Sequence, residues 1–164
     1  MVAALLWFLA SAIFVDLAGY WLHRWAHKPS SPLYRAHMTH HVTNYPPKDF
    51  FSEKYRESGS DGLALWFAPF GIIYVLVAAL CGLPCFSAIV LGGAAIAVLS
   101  SILHDLSHIS DSIVWRLPWT RLAAEHHRVH HSRMGRNFGI LFTLWDRIFG
   151  TKRRGPSSPP TRRP

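Results

Sequence analysis

The sequence is poor in cysteine, and long parts of it carry no charge. Its two cysteines, Cys81 and Cys85, flank a Gly-Leu-Pro corner between apolar runs, and no further Cys or His lies nearby to complete a zinc motif. We therefore expect no disulfide framework. Lys and Arg are absent before Arg24 and between Arg56 and Arg116, so the basic residues lie in two regions. Motifs for flavin, nicotinamide or covalently attached haem are also missing.

The uncharged stretches are long enough to cross a bilayer, because a helix needs about 20 residues to span a hydrocarbon core of roughly 30 Å. Leu63 to Cys81 and Cys85 to Leu103 contain no charged side chain and predict a helical hairpin. A third apolar segment, from Val2 to about Leu22, carries only Asp16. It lacks the basic start of a signal peptide, so we expect a retained span. These segments predict an all-α membrane bundle of about three transmembrane helices plus interfacial helices.

The basic residues predict the orientation. The chain has 17 Lys and Arg against 9 Asp and Glu, and the positive-inside rule places both basic regions in the cytoplasm. Three spans with the N-terminus outside then bring the eleven histidines and the C-terminus to the cytoplasmic face. We expect residues 1–151 to form one membrane domain and residues 152–164 a disordered basic tail. That tail suits anionic lipid head groups, and no nucleic-acid motif is present.

Histidine is the most informative residue, because ten of the eleven fall into four short clusters. The clusters are His23-x-x-x-His27, His37-x-x-His40-His41, His104-x-x-x-His108 and His127-x-x-His130-His131. Residues three or four apart share a helix face, with Cβ atoms about 5–6 Å apart, so each cluster aims its imidazoles at one point. Ten imidazoles exceed the four ligands of a tetrahedral zinc site but supply about five each to two metal ions. The clusters therefore predict a two-metal site, and imidazole alone suits iron, zinc, copper and nickel alike.

Other polar residues are candidates to orient these imidazoles. Ligand histidines usually donate their second ring nitrogen to a carboxylate or a carbonyl. We predict this supporting role for four carboxylates and one histidine that is out of phase with its cluster: Asp16, Asp105, Glu125, Asp146 and His126. Asp16 lies in an apolar segment, where a carboxylate is costly, and a bond to Tyr20 is an equal alternative. Asp105 has capping of its own helix end as an alternative.

The order of the four clusters resembles that of the fatty acid hydroxylase and sterol desaturase superfamily. The later segments Asn137-Phe138-Gly139 and Leu144 to Thr151 are similar to the ending of that family. The stretch Asp16-x-x-x-Tyr20-Trp21 resembles its entry into the first cluster. The resemblance covers about Asp16 to Thr151. Family members commonly have a further apolar segment at the N-terminus, so we expect a minimal or an incomplete form.

The resemblance implies a lipid hydroxylase of the membrane, acting in lipid biosynthesis or modification. It implies two iron ions, with zinc possible in isolated protein, dioxygen as co-substrate, and a separate electron donor: a reductase, a ferredoxin or a b-type cytochrome. Desaturation of a sterol or acyl chain at the same metals is one alternative. A non-enzymatic metal-binding membrane protein is another, although its ligands would follow a path through the bilayer. Fatty acyl chains, sterols, sphingolipids and carotenoids are all compatible substrates.

Overall fold

A computed structural model describes residues 2–56 and 63–155, with side chains from residue 71 onward in the second range. The described chain is helical, and its only β pairing is an isolated bridge between Ser52 and Ile109. The predicted all-α class is therefore confirmed. The α-helices are α1 (Val2–Ala26), α2 (Tyr34–Thr39), α3 (Leu63–Ala79), α4 (Leu83–Ser107), α5 (Pro118–Ser132) and α6 (Leu144–Ile148). A π-helical turn (His40–Asn44) extends α2, and a 3-10 turn (Ile113–Trp115) precedes α5.

Two helices, α1 and α4, are long and apolar enough to cross a membrane. Each has 25 residues, and both expose large apolar side chains such as Leu6, Ile13 and Leu91. Such exposure suits helices whose solvent is lipid. The third predicted span, α3, has 17 described residues, which is fewer than the about 20 that a straight span needs.

Helices α1 and α4 pack closely against each other and run in the same direction. Helix α3, which lies between them in the sequence, runs in the opposite direction. A Cβ atom on Gly92 would overlap the main-chain carbonyl of Phe8, so this glycine lets the two backbones approach. The Ser11 hydroxyl donates a hydrogen bond to the Ile89 carbonyl at 2.6 Å. The ring of His127 lies beside both His23, in the last turn of α1, and His104, in the last turn of α4, so the C-terminal ends of the two helices meet at one face of the molecule.

The shorter helices cover that face. Helix α5 begins with Pro118 in its first turn, a position that needs no amide donor. It buries its histidines and exposes Arg121 and Leu122. Beyond α6, the main-chain amide of Lys152 donates to the carbonyl of Asp146 at 2.8 Å, and that of Arg153 donates to Oδ1 of Asn137 at 2.6 Å. Most of the predicted tail, residues 156–164, lies outside the described residues.

Candidate metal centre

Ten imidazoles converge where α1 and α4 end, and they form two groups. The first histidine group has five ligand nitrogens within 4.8 Å of one another, from His23, His27, His37, His41 and His130. The second histidine group has four such nitrogens, from His40, His104, His108 and His127. His131 lies within the same distance of both His40 and His41, so it touches both groups, and we assign it to the second. The Nε2 atom of His131 lies 3.1 Å from that of His40 and 3.2 Å from that of His127. These ten residues are the predicted ligands.

The helices explain why neighbours in sequence separate between the groups. Consecutive residues of a helix point about 100° apart, because an α-helix has 3.6 residues per turn. His40 and His41 therefore face different groups, and so do His130 and His131. The π-helical turn that begins at His40 widens the helix at this point. Such turns are frequent at functional sites.

Burial favours the neutral form of five of these imidazoles, which is the form that binds metals. Removal from water lowers the pKa of His27 to about 4 and that of His131 to about 3. The pKa values of His41, His127 and His130 also fall well below the ordinary value, again mainly through burial. A neutral imidazole carries one proton on its two ring nitrogens, so the other nitrogen offers a lone pair.

The hydrogen bonds of the second histidine group direct lone pairs at one another. His108 and His131 donate Nδ1–H to the carbonyls of Phe50 and Tyr45, at 3.1 and 2.8 Å. Their Nε2 atoms consequently carry lone pairs, and both face Nε2 of His127, at 3.1 and 3.2 Å. The single proton available there cannot serve both neighbours. Lone pairs held this close repel unless a cation lies between them, so the arrangement fits a metal ion.

The first histidine group has matching geometry. Four Nε2 atoms form a closed ring with sides of 2.7, 3.0, 3.1 and 3.0 Å, from His27, His37, His41 and His130. Metal–imidazole bonds of about 2.0–2.1 Å, set at right angles, place neighbouring nitrogens about 3 Å apart. The fifth member, His23, has a buried Nε2 atom with no hydrogen-bond partner among the described residues. This donor set also fits a metal ion.

Two comparisons with known proteins found a match to this sequence. The sequence profile of the fatty acid hydroxylase family matches residues 8–151. The chain belongs to the fatty acid hydroxylase family. An alkylglycerol monooxygenase from Danio rerio is 30% identical over an alignment of 152 residues, which covers 88% of this chain and 30% of that protein. The chain therefore spans about a third of the length of this curated relative. No solved structure matches the chain.

Of the four predicted supporting carboxylates, only one contacts an imidazole of the two histidine groups. Asp105 accepts Nδ1–H of His104 at 3.0 Å. Glu125 instead pairs with Arg121 at the surface, one helical turn away. Asp16 instead accepts Nε1–H of Trp145 at 2.7 Å and so joins α1 to α6.

The other two predicted supporting residues contact each other. His126 faces away from both groups and donates Nε2–H to Asp146 at 2.9 Å. The Asp146 carboxylate is buried, which by itself raises its pKa. Hydrogen bonds from His126, Thr151 and Gly139 outweigh burial and lower that pKa below the ordinary value. Asp146 is therefore held in its charged form.

Main-chain carbonyls, which sequence reasoning missed, orient four of the imidazoles. The acceptors are the carbonyl oxygens of Phe138 for His23, Arg136 for His130, Phe50 for His108 and Tyr45 for His131. Every residue has a carbonyl, so no sequence signal identifies these four. Tyr45 also stacks on the His108 ring, with centroids 3.9 Å apart.

Proposed function

We propose that this chain hydroxylates a C–H bond of a membrane lipid with dioxygen, using two iron ions held by the two histidine groups. The observation that supports this best is the convergence of imidazole lone pairs in both groups. We propose iron instead of zinc because zinc has no redox chemistry. Iron bound here would supply the electrons that activate dioxygen.

The chain's own contribution is to orient ligands and exclude water. His41, His108, His130 and His131 have no exposed surface. A dry site strengthens electrostatic interactions and protects reactive species from side reactions. The two apolar helices end at this site, so an apolar chain in the bilayer can approach it without crossing water. Trp21 and Trp25, both partly exposed near the end of α1, suit the interface between lipid and water.

The orientation and the electron source are further parts of the proposal. The distribution of the basic residues favours a cytoplasmic location for the site and the C-terminus. Electrons then come from a cytoplasmic reductase, ferredoxin or b-type cytochrome, and the positive face suits an acidic donor. The groups lie together at one face instead of along a path through the bilayer, which disfavours a metal carrier.

Metal analysis combined with oxygen uptake tests this function. The full chain, purified in detergent, is expected to hold about two iron ions and to consume oxygen when given a reductant and a lipid. Alkylglycerol is the first lipid to test, because the Danio rerio relative is named for it, followed by fatty acid, sphingolipid, sterol and carotenoid. Mass spectrometry of the product separates an added oxygen from a new double bond.

Replacing a predicted ligand provides the control. His40→Ala and His130→Ala are expected to lower iron content and abolish product formation, while the protein still inserts into the membrane. Asp111→Asn, an exposed change outside both groups, is expected to behave like the wild type. Wild-type protein without bound iron or lipid-dependent oxygen uptake would overturn the proposed function.

A further inference from the structure

The segment between α5 and α6 is fixed by a buried asparagine. Asn137 adopts a left-handed backbone, with φ of 58°, and its side chain is fully buried. Asparagine tolerates this conformation better than most residues. Its Nδ2 atom donates to the carbonyls of His126 and Arg153, at 3.2 and 2.9 Å, and its Oδ1 atom accepts the Arg153 amide at 2.6 Å. One side chain thus ties this loop to α5 and to the chain after α6.

A buried carboxylate holds the next two residues of the loop. Asp146 accepts the main-chain amides of Phe138 and Gly139 at 2.8 and 2.7 Å. It also accepts the hydroxyl of Thr151 at 2.6 Å and Nε2–H of His126 at 2.9 Å. Four donors from three separate parts of the chain therefore converge on a side chain without exposed surface. Together Asn137, Asp146, His126 and Thr151 form what we call the clasp.

Gly139, which contacts the clasp, has no room for a side chain. A Cβ atom on Gly139 would overlap the carbonyl of Phe142 and lie 2.9 Å from Oδ2 of Asp146. The loop can therefore approach the carboxylate only without a side chain at this position. The charge of Asp146 and the small size of Gly139 serve the same contact.

The loop that the clasp holds presents two carbonyls to one histidine group only. Arg136 accepts Nδ1–H of His130 and Phe138 accepts Nδ1–H of His23, each at 2.6 Å. Both histidines belong to the first histidine group. In the second group, His131, His108 and His104 donate Nδ1–H to Tyr45, Phe50 and Asp105, which lie outside the loop.

We propose that Asp146 and Asn137 are positioning residues for the first metal ion alone, acting through the carbonyls of Arg136 and Phe138. The inference rests on the proposed metal site. The two carbonyls fix the tautomer and ring direction of His130 and His23, so that both Nε2 lone pairs face the same ion. Neither Asp146 nor Asn137 would touch the ion, and each acts through the loop between α5 and α6.

The decisive variant is Asp146→Asn, which keeps the size of the side chain. Its amide nitrogen would face an N–H donor that the carboxylate now accepts, and the loop would shift. Loss of a partner that orients a ligand typically lowers metal affinity about 10- to 100-fold. Titration of the detergent-solubilised full chain with ferrous iron should show one ion weakened by this factor and the other unchanged. The iron retained after gel filtration should fall from about two ions to about one.

Combination with ligand variants identifies which ion is lost. Asp146→Asn added to His108→Ala, which disables the second group, should leave the chain without tightly bound iron. Asp146→Asn added to His27→Ala, which disables the first group, should retain the same single ion as His27→Ala alone. A general folding defect would instead weaken both ions in every background. Equal weakening of both ions, or wild-type affinity for two ions in Asp146→Asn, would overturn the proposal.

A second variant guards against misfolding of the first. Asn137→Gly keeps the left-handed backbone, which glycine adopts without strain, and deletes only the side-chain hydrogen bonds. It should weaken the same ion as Asp146→Asn, and an unchanged pair of affinities would overturn the role of Asn137. Circular dichroism confirms helix content in each variant. Wild-type protein that binds no iron would overturn the proposed function, whereas two tight ions in the wild type and in both variants would overturn the clasp alone.

Discussion

The two histidine groups share two structural elements but are held in place from different directions. Both take ligands from α5 and from the segment formed by α2 and its π-helical turn. The first group adds residues at the end of α1, and two of its rings donate hydrogen bonds to carbonyls of the loop after α5. The second group adds residues at the end of α4, and two of its rings donate hydrogen bonds to the carbonyls of Tyr45 and Phe50.

The difference shows that similar ligands depend on different distant parts of the chain. His23 precedes its acceptor Phe138 by 115 residues, so the first group is correctly oriented only after the C-terminal part has folded back onto α1. In the second group, His131 and His108 instead donate to Tyr45 and Phe50, which lie 86 and 58 residues earlier in the chain. We therefore expect the two groups to respond differently to changes outside the ligands.

The largest expected effect is the loss of one ion when a ligand of one group is removed. His27→Ala should release the first ion and His108→Ala the second, each leaving about one iron per chain. Because loss of a supporting partner already costs about 10- to 100-fold in affinity, loss of the ligand itself should exceed about 100-fold. Iron content and lipid oxidation measure the result. If either variant lost both ions, the groups would not be independent sites.

A smaller effect is expected from Asp105→Asn, which changes the carboxylate that contacts His104 of the second group. The amide side chain keeps an oxygen that can accept Nδ1–H of His104 but loses the negative charge. Asp105 is also partly exposed, so water can replace part of the interaction. We expect about a 10-fold loss of iron affinity, confined to the second group, which ferrous iron titration detects. Glu125→Gln, at the surface, is the matched carboxylate control, and weakening of the first group instead would contradict the assignment.

The smallest effect on the metals is expected from Trp145→Phe, which removes the indole donor to Asp16. A buried acceptor that loses its partner costs about 1–3 kcal/mol, so the free energy of unfolding should fall while the second group keeps its iron affinity. Thermal unfolding in detergent, followed by circular dichroism, measures the change. Replacing both partners, with Asp16→Leu added, should restore much of the stability. A single variant as stable as the wild type would show that this contact contributes little.

The length of the apolar segments predicted the helical class, and helical periodicity predicted which histidines come together. Imidazoles four residues apart share a helix face, so His37 and His41 fall in the first group and His127 and His131 in the second, whereas His40 and His130 each face the other group. Periodicity does not explain the place of His126, which precedes His130 by four residues, and the structure places it against Asp146. The roles of all these residues as ligands stay predictions until metal is measured.

The positions of the supporting groups could not be predicted in the same way. Glu125 and Asp105 both lie next to or near a histidine cluster in sequence, yet only Asp105 contacts an imidazole of the groups. The choice depends on which side of each helix faces the site. The carbonyls of Arg136 and Phe138 could not be predicted as acceptors either, because their role depends on the path of the backbone.

The sequence by itself determined the apolar helices, the clustering of histidines and the approximate number of metal ions they can serve. These properties follow from local rules of length, hydrophobicity and helical period, which act within a few turns of one helix. Only the tertiary structure decided which histidines share a group and which atoms orient them. Those choices depend on how α1, α4 and the loop after α5 pack together, and packing joins residues that are far apart in the chain.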